Sequence, residues 1–518
     1  LYATTRFTLR HIKAKHGIVL LSILLIVLLT ATTNSVKAQK SVLFQWSNFL
    51  KVPKYAQAYL TFKHESGYGV VIKLNQNLRI NLFDSQLKFI GSKSLDMIKA
   101  KESMIDIHYF KNAVYVLTQV DITNQRQVLR VRIIKTDSLK EPDRYTDLIN
   151  LRENRFNREI NFHVIPISTG IHVWHIVPPE FDDSYQSIEY TTFDFEFKKI
   201  DHAVIDIPVK NDLCEILKIE LTDKKQFLIY TKEYAVRPVE KRGFLPNYKF
   251  VFYVADPGIN KLKQCEFNNK NIYPERGRMK WTDGVFEATG LFSEKTDGLK
   301  PGYWYLKYDF ITSKYLIDTI HYFGKQVKDL PNNGFKYSIS RRSSLETMFL
   351  DYFIRDKLNN KIIVAEQYYL MPATFGSTYT YNRFYGDILL LFLDSTSKVY
   401  TAKRLIKAQQ TFNNFGEYSS YYLERKDSVL RFFYNDHTAN RKLKKNKAQH
   451  LVWHKHANLC IITVTPNMLK TYYLANYKQS DGILQIRDML EISNNKYLVY
   501  ARKGKKAKLG IMELIEND

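Results

Sequence analysis

The chain has 518 residues, 45% of them hydrophobic and 14% aromatic, and a formal net charge of +25. That composition excludes a disordered polymer, and 20 Gly with 14 Pro exclude a collagen-like or linker-like chain. A basic balance of this size bears on partners, favouring polyanions, and leaves the fold open.

Residues 1–38 read as a secretory signal peptide. Arg6, Arg10, Lys13 and Lys15 precede a 14-residue apolar run, Ile18–Ala31. That run is short for a membrane span, and Val36-Lys37-Ala38 puts small residues where signal peptidase needs them. Cleavage is expected after Ala38, with an uncleaved anchor as the alternative. The segment holds five cations and no acids, which leaves +20 on residues 39–518. No later apolar run approaches 18 residues, so no transmembrane segment is expected after cleavage. The expected location is periplasmic or extracellular.

From residue 39 onward the chain reads as strand after strand. Runs of four to eight β-branched and aromatic residues are broken by turn residues such as Glu65-Ser66-Gly67, Asp223-Lys224-Lys225 and Asn494-Asn495. A strand ending in Asp recurs: Leu78–Asp84, Ile188–Asp194, Lys249–Asp256, Gly302–Asp309 and Asp387–Asp394. Asp suits that place because its side chain accepts from amides two residues on and holds a turn. Modules at 57–95, 105–140, 160–203, 214–266, 279–320, 345–406, 418–475 and 484–515 average about 60 residues. The last shows three strands, and Ser41–Trp46 is placed to supply a fourth and close a ring. The fold class is therefore all-β: a single β-propeller domain over 39–518 with about eight four-stranded blades, seven remaining open. A pair of β-sandwiches and an outer-membrane barrel are the alternatives. Runs such as Ile388–Leu393 suit strands buried on both faces better than lipid-facing alternation.

In the second half, Ile362–Tyr369, Tyr385–Leu393, Arg404–Thr411, Tyr418–Tyr422 and Leu430–Asp436 follow in a fixed order. In these residues the chain resembles a family of uncharacterised, exported, propeller-like proteins of the Bacteroidota. The resemblance implies compartment and fold, and it brings no activity and no catalytic residues.

Chemistry-bearing residues are sparse. Two basic runs, Arg441–Lys447 and Arg502–Lys508, lie between strands, and Lys444, Lys445, Lys505 and Lys506 are their candidate polyanion contacts. The sequence Met371–Phe384 reads as a Tyr-rich loop, with Tyr379 and Tyr381 as platforms for sugars or peptides. Glu366, Asp387 and Asp436 interrupt or border apolar strands and are the candidate catalytic carboxylates. A glycoside hydrolase needs two such groups about 5–5.5 or 6.5–9.5 Å apart; the structural alternative is that they hold turns and ion pairs. His454 and His456, two apart, share one face if extended, and with His437 they are the nearest approach to a metal site. No metal is expected there, given the lysines nearby. Cys214, Cys265 and Cys460 are odd in number and contain no CxxC; they read as buried small residues, with a Cys214–Cys265 bridge as the alternative. There is no GxSxG, GxGxxG or P-loop, so no cofactor is expected.

These readings converge on an exported, non-catalytic binding or scaffold protein of the cell envelope. Its partner would be an anionic glycan, lipopolysaccharide or an envelope protein, met through basic and Tyr-rich loops; charge alone would allow nucleic acid, but none is expected, since the sequence shows no nucleic-acid motif and the compartment argues against it. A carbohydrate-active hydrolase or lyase using the three carboxylates is the alternative.

Overall fold

The structure is a computed structural model. It describes residues 41–515 except 54–55, 75–76, 98–101, 124–125, 138, 140–144, 153–161, 178–183, 223–225, 237, 240, 243–244, 257–261, 269–270, 296–299, 331–346, 357–359, 376–377, 413–415 and 443–447. The proposed signal segment, Lys444 and Lys445 lie outside the described residues. A large compact unit spans Phe44–Met512, and the two chain ends form a small second one. The large unit holds the blades and every candidate site residue.

Among the described residues its strands form eight antiparallel blade sheets that follow one another along the chain, and a separate two-stranded sheet, Lys241–Arg242 with Leu245–Pro246, within blade 4. Blade 1 holds Gln57–His64, Gly67–Leu74, Asn77–Asp84 and Phe89–Leu95. Blade 2 holds Glu102–Phe110, Ala113–Thr123, Arg126–Lys135 and Thr146–Arg152. Blade 3 holds His163–Ile167, Gly170–Val177, Tyr185–Asp194 and Lys199–Lys210. Blade 4 holds Cys214–Leu221, Phe227–Tyr234, Tyr248–Ala255 and Leu262–Phe267. In blade 5 the first strand is split into Tyr273–Pro274 and Arg278–Thr282, followed by Val285–Ser293, Gly302–Asp309 and Lys314–Tyr322. Blade 6 holds Met348–Arg355, Lys361–Phe375, Thr378–Leu393 and Val399–Leu405. Blade 7 holds Tyr422–Lys426, Val429–His437, Ala457–Thr465 and Met468–Asn476. Blade 8 is again split at its start, into Ile483–Leu484 and Leu490–Ser493, before Lys496–Lys503 and Lys506–Ile515.

The apolar packing shows that these sheets make a ring. Each hydrophobic cluster lies between consecutive blades. Val71, Ile80 and Leu82 of blade 1 pack on Ile107, Val114 and Val116 of blade 2. Phe250 and Phe252 of blade 4 pack on Phe286 and Trp304 of blade 5. Val70, Ile72 and Phe83 of blade 1 pack on Leu498, Tyr500 and Leu509 of blade 8, which closes the circle. Blade 8 is completed from the N-terminal side: Leu50 and Lys51 pair with Ala507 and Lys506, and the Ser47 amide donates to the Leu509 carbonyl at 2.9 Å. A Cβ on Gly510 would meet the Trp46 ring at 2.2 Å, so this seam needs glycine there. The protein is thus an eight-bladed β-propeller closed by an N-terminal strand, with eight separate sheets in place of one barrel or two sandwiches. Closure pairs the last blade's third strand with the N-terminal segment, and the blades leave only short edges.

The two ends of the ring differ. In a meander, the first-to-second and third-to-fourth turns fall at one end, and the second-to-third turns and blade-to-blade connections at the other. At the first end the recurrent Asp does what its spacing predicts. Asp84 Oδ1 accepts from the Gln86 and Lys88 amides at 2.9 and 2.8 Å, Asp194 Oδ1 from Glu196 and Lys198 at 3.0 and 2.8 Å, and Asp394 Oδ1 from Lys398 at 2.9 Å. Three residues after each Asp stands a positive φ, at Leu87 (63°), Phe197 (62°) and Ser397 (66°), which turns a buried side chain back under the loop. In these three blades this end is a rim of tight structural turns. The opposite end, the loop face, carries the long connections, 235–247, 323–347 and 438–456.

Trp174 and Trp304 are core residues, and Trp281 packs against the blade 4–5 cluster. Cys214 and Cys265 stand on the first and fourth strands of blade 4, three strand spacings apart, about 14 Å and too far for a bridge. All three cysteines are free. Among the described residues no helix is long and apolar enough to cross a membrane.

Candidate functional site on the loop face

At the loop-face end of blades 6 and 7 lies a buried polar network. A register shift between Glu366 and Tyr368 bulges the second strand of blade 6 at Gln367, and Gly386 opposite lets that side chain in; a Cβ there would meet Gln367 Oε1 at 2.4 Å. Glu366, 5% exposed, accepts from the Lys407 ammonium and from Ser420 Oγ at 2.8 Å. Lys407 is fully buried and also donates to Gln409 Oε1 at 3.1 Å. Asp387 accepts from Arg404 Nε at 2.9 Å and from the Lys407 amide at 3.1 Å. Gln409 ties the blades together: it donates to the Asn435 carbonyl at 2.7 Å and accepts from the Ser420 amide at 2.7 Å. Asp436 accepts from the His437 amide, Asn440 Nδ2 and the Tyr473 hydroxyl at 2.8, 2.7 and 2.8 Å. Burial nonetheless pushes its carboxyl up to about 6.

Each of the three carboxylates is thus held by donors: Glu366 by Lys407 and Ser420, Asp387 by Arg404 and the Lys407 amide, and Asp436 by groups of blade 7 and its own connection. None stands as an open acid or base in a channel. Glu366 and Asp387 sit in ion pairs with Lys407 and Arg404, and Asp436 is held by hydrogen bonds.

The loops predicted to bind are second-to-third connections of blades 6, 7 and 8, so strand parity puts all three on the loop face. The Tyr-rich segment is a correction in form. It is no loop: the second and third strands of blade 6 stay paired from Tyr368–Tyr385 to Phe375–Thr378, and Gln409–Phe412 adds a third strand at the base. At strand rise this arm runs on for about 23 Å. Tyr381 is 57% exposed on it, opposite Pro372; Tyr379 pairs with Thr374, and its side chain lies outside the described ones. The blade 8 hairpin leaves Lys505 and Lys506 exposed, with Lys506 Nζ 5.3 Å from the Phe49 ring centroid, while Lys503 and Lys508 pair with Asp481. On the blade 7 connection Arg441 and Lys442 are exposed and Trp453 is 68% exposed.

The histidine expectation needs correcting too. His454-Lys455-His456 forms a 3₁₀ turn and is not extended, so the alternation argument does not apply. His454 rests against the Tyr418 ring at 5.0 Å, His456 lies 5.2 Å from the His437 ring, and His437 Nδ1 already accepts from the Ala439 amide at 3.1 Å. No group of three or more His, Cys, Asp or Glu poised to hold a metal occurs among the described residues.

Sequence reasoning missed a cleft of about 590 Å³ where blades 4, 5 and 6 meet on the loop face. It is created by the split first strand of blade 5. After Tyr273–Pro274 the chain leaves the ladder at Glu275-Arg276-Gly277 and rejoins it at Arg278. The detour is fixed on both sides. The Glu275 amide donates to the Leu291 carbonyl at 2.8 Å, Trp304 Nε1 donates to the Glu275 carbonyl at 3.2 Å, and a Cβ on Gly277 would come within 2.3 Å of the Thr289 carbonyl oxygen. Arg276, Arg278, Lys232, Tyr248, Phe349 and Asp351 are among the lining residues. Asp351 accepts from the Tyr421 hydroxyl at 2.7 Å, and burial, then the nearby Glu366 charge, push its carboxyl up to about 6. The buried network thus underlies one wall of the cleft. The only sequence signal was the Pro-Glu-Arg-Gly-Arg string breaking an otherwise apolar strand pattern.

No protein-family model matches the chain, and no curated protein matches it in sequence. Among solved structures it is similar to the WD40 domain of SCAP from fission yeast, at 9% identity and a TM-score of 0.37 over 90% of this chain and 98% of that one. It is similar to the polysaccharide lyase Uly1 at 10% identity and a TM-score of 0.38, over 92% and 100% of the two chains. A prolyl endopeptidase gives 9% and 0.38, over 88% of this chain and 55% of that one.

Proposed function

We propose that the protein is an exported, non-catalytic binding protein of the cell envelope whose loop face engages an anionic glycan. The observation that carries this is the gathering, at one end of the ring, of the Tyr-bearing arm of blade 6 and the basic connections of blades 7 and 8. Loops on a rigid scaffold are where binding surfaces are built, and exposed cations beside aromatic rings suit an acidic saccharide chain. Export with removal of residues 1–38, and residence in the periplasm, belong to the same proposal. They rest on the charged, apolar and small-residue pattern of that segment.

The test is a binding and turnover assay with anionic and neutral polysaccharides and lipopolysaccharide at two salt concentrations. The reading requires saturable binding to the acidic polymers that weakens with salt, no new reducing ends, and loss of affinity when Lys444, Lys445, Lys505 and Lys506 are changed together to Glu. Binding indifferent to these four changes at low salt would remove the basic loops from the account. A second reading is favoured by one observation, the raised Asp351 carboxyl in a cleft, which is the form a general acid takes. In that reading the protein is a carbohydrate-active hydrolase or lyase. New reducing ends that vanish in Asp351→Asn would establish it.

A further inference from the structure

We infer that the cleft between blades 4, 5 and 6 is the subsite for a single acidic saccharide unit, held by Arg276 and Arg278 against Phe349. This rests on the proposal of an anionic-glycan surface and names the place where one unit of such a chain is gripped.

The cleft has the right size. About 590 Å³ lies in the range that encloses a mono- or disaccharide. Its lining holds three cations, Lys232, Arg276 and Arg278, and three carboxylates, Glu215, Glu275 and Asp351, so the case for an anion rests on how they are engaged. Glu275 is taken by Lys300, and Asp351 receives the Tyr421 hydroxyl. Arg276 and Arg278 donate instead to main-chain oxygens, those of Leu217 and Asp351 (2.7 Å for Arg278 Nε). Neither guanidinium lies within ion-pair distance of a carboxylate among the described residues, and the Arg278 charge acts on the Asp351 carboxyl from further off, favouring its ionised form. Those main-chain bonds fix the direction of each guanidinium and leave other N–H groups of the fork for a ligand. A carboxylate or sulfate matches two such forks in plane and in charge.

The remaining walls suit a sugar. Phe349 is 48% exposed and offers a ring face to pyranose C–H groups. The Lys232 ammonium is packed 4.0 Å from the Tyr248 ring centroid, and the Tyr248 hydroxyl is spent on the Pro274 carbonyl at 2.9 Å, so this wall is preformed. Glu215 and Asp351 supply acceptors for hydroxyls. Preformation matters because the detour that carries Arg276 is pinned by Trp304 and Gly277, so little ordering remains when a ligand enters.

The test separates the cleft from the basic loops. A uronic-acid disaccharide and a neutral disaccharide of the same size are titrated into the protein, alongside an acidic polysaccharide. Arg276→Met, Arg278→Met and Phe349→Ala are compared with Lys505→Glu/Lys506→Glu, with the unfolding midpoint of each as the folding control. The inference expects the uronate to bind at least about 10-fold more tightly than the neutral sugar, and each Arg variant to weaken it by about 10-fold or more. The loop variant should leave disaccharide affinity unchanged while weakening the polymer. Equal affinity for the two disaccharides, or Arg variants that fold and bind uronate as the parent does, would overturn it. If the polymer binds and the disaccharide does not, the cleft assignment falls and the loop-face proposal stands. If the disaccharide binds and the polymer is indifferent to the loop lysines, the reverse holds.

Discussion

Lys407 offers the sharpest test of how the loop face is held together. Its ammonium is fully buried, between the Glu366 carboxylate and Gln409 Oε1, with the Tyr385 ring centroid 5.7 Å away. Lys407→Met keeps most of the volume and removes the charge. Glu366, 5% exposed, is then left with the Ser420 hydroxyl as its remaining side-chain donor among these contacts. Stranding one member of a buried ion pair destabilises by about 3–5 kcal/mol, because the surviving charge keeps its desolvation penalty and loses its partner. Unfolding entropy scales with chain length, so in a ring of this size that loss appears as only about 3–5 °C in the thermal midpoint. Equilibrium denaturation in urea, followed by far-ultraviolet circular dichroism, is the better assay. The paired change Lys407→Met/Glu366→Met removes both charges. It should recover most of the loss and can exceed the parent, since apolar replacement of a buried pair is often neutral or stabilising. A single variant within about 1 kcal/mol of the parent, or a double variant less stable than the single one, would refute a charged, dry pair at this position.

Two further outcomes follow from individual side chains. Burial raises the Asp436 carboxyl to about 6, above its ordinary value of about 3.9, so the native state binds this proton more tightly than the unfolded chain does. The stability this gives is fully present below about pH 4 and is lost as pH rises through 6, about 3 kcal/mol in all. Asp436→Asn lacks the titration, so its stability relative to the parent should rise by that amount between pH 4 and pH 8; parallel stability profiles would count against a buried, raised carboxyl. On the turn rim, Asp394→Ala removes the bonds to the Lys398 amide and to Thr396 Oγ1, and a loss of about 1 kcal/mol in urea unfolding is expected. No change would mean that Ser397 holds its left-handed conformation without the side-chain acceptor.

The ring was legible in the sequence because the repeated element is local. An Asp at the end of the third strand, two amides within four residues and a turn-back residue at the third place make a self-contained device, so Asp84, Asp194 and Asp394 mark blades without tertiary information. The N-terminal closing strand was legible by deficit, since the last module lacked one strand. What was not legible depends on partners far apart in the chain. Lys407 looks like any solvent-facing lysine in Leu405–Thr411, and its burial follows from Glu366, 41 residues away on another strand. The Tyr-rich segment reads as a loop because Gly376, Ser377 and Thr378 are turn-forming residue types, whereas the paired arms on either side continue the blade's own strands. Alternation puts His454 and His456 on one face only within a strand, and the 3₁₀ turn removes that premise.

The asymmetry between the two ends of the ring argues for where selection can act. On the turn rim, the Asp84, Asp194 and Asp394 turns are tight, and each aspartate is spent on its own turn's backbone. A change there alters stability and little else. On the loop face several connections are long, among them 235–247 and 438–456, and the strand start that breaks regular pairing beside the cleft is held open by Trp304, a fully buried ring whose indole N–H is aimed at the detour itself. Gly290 and Gly277 make room for that ring: a Cβ at either would lie 2.5–2.6 Å from it. A fold that only needed to close would gain nothing from this arrangement, because a continuous first strand in blade 5 would satisfy the Leu291 carbonyl equally well. The detour instead exchanges regular ladder pairing for two guanidinium groups presented at fixed positions in the cleft wall, one of them, Arg278, bonded to the first strand of blade 6 through the Asp351 carbonyl.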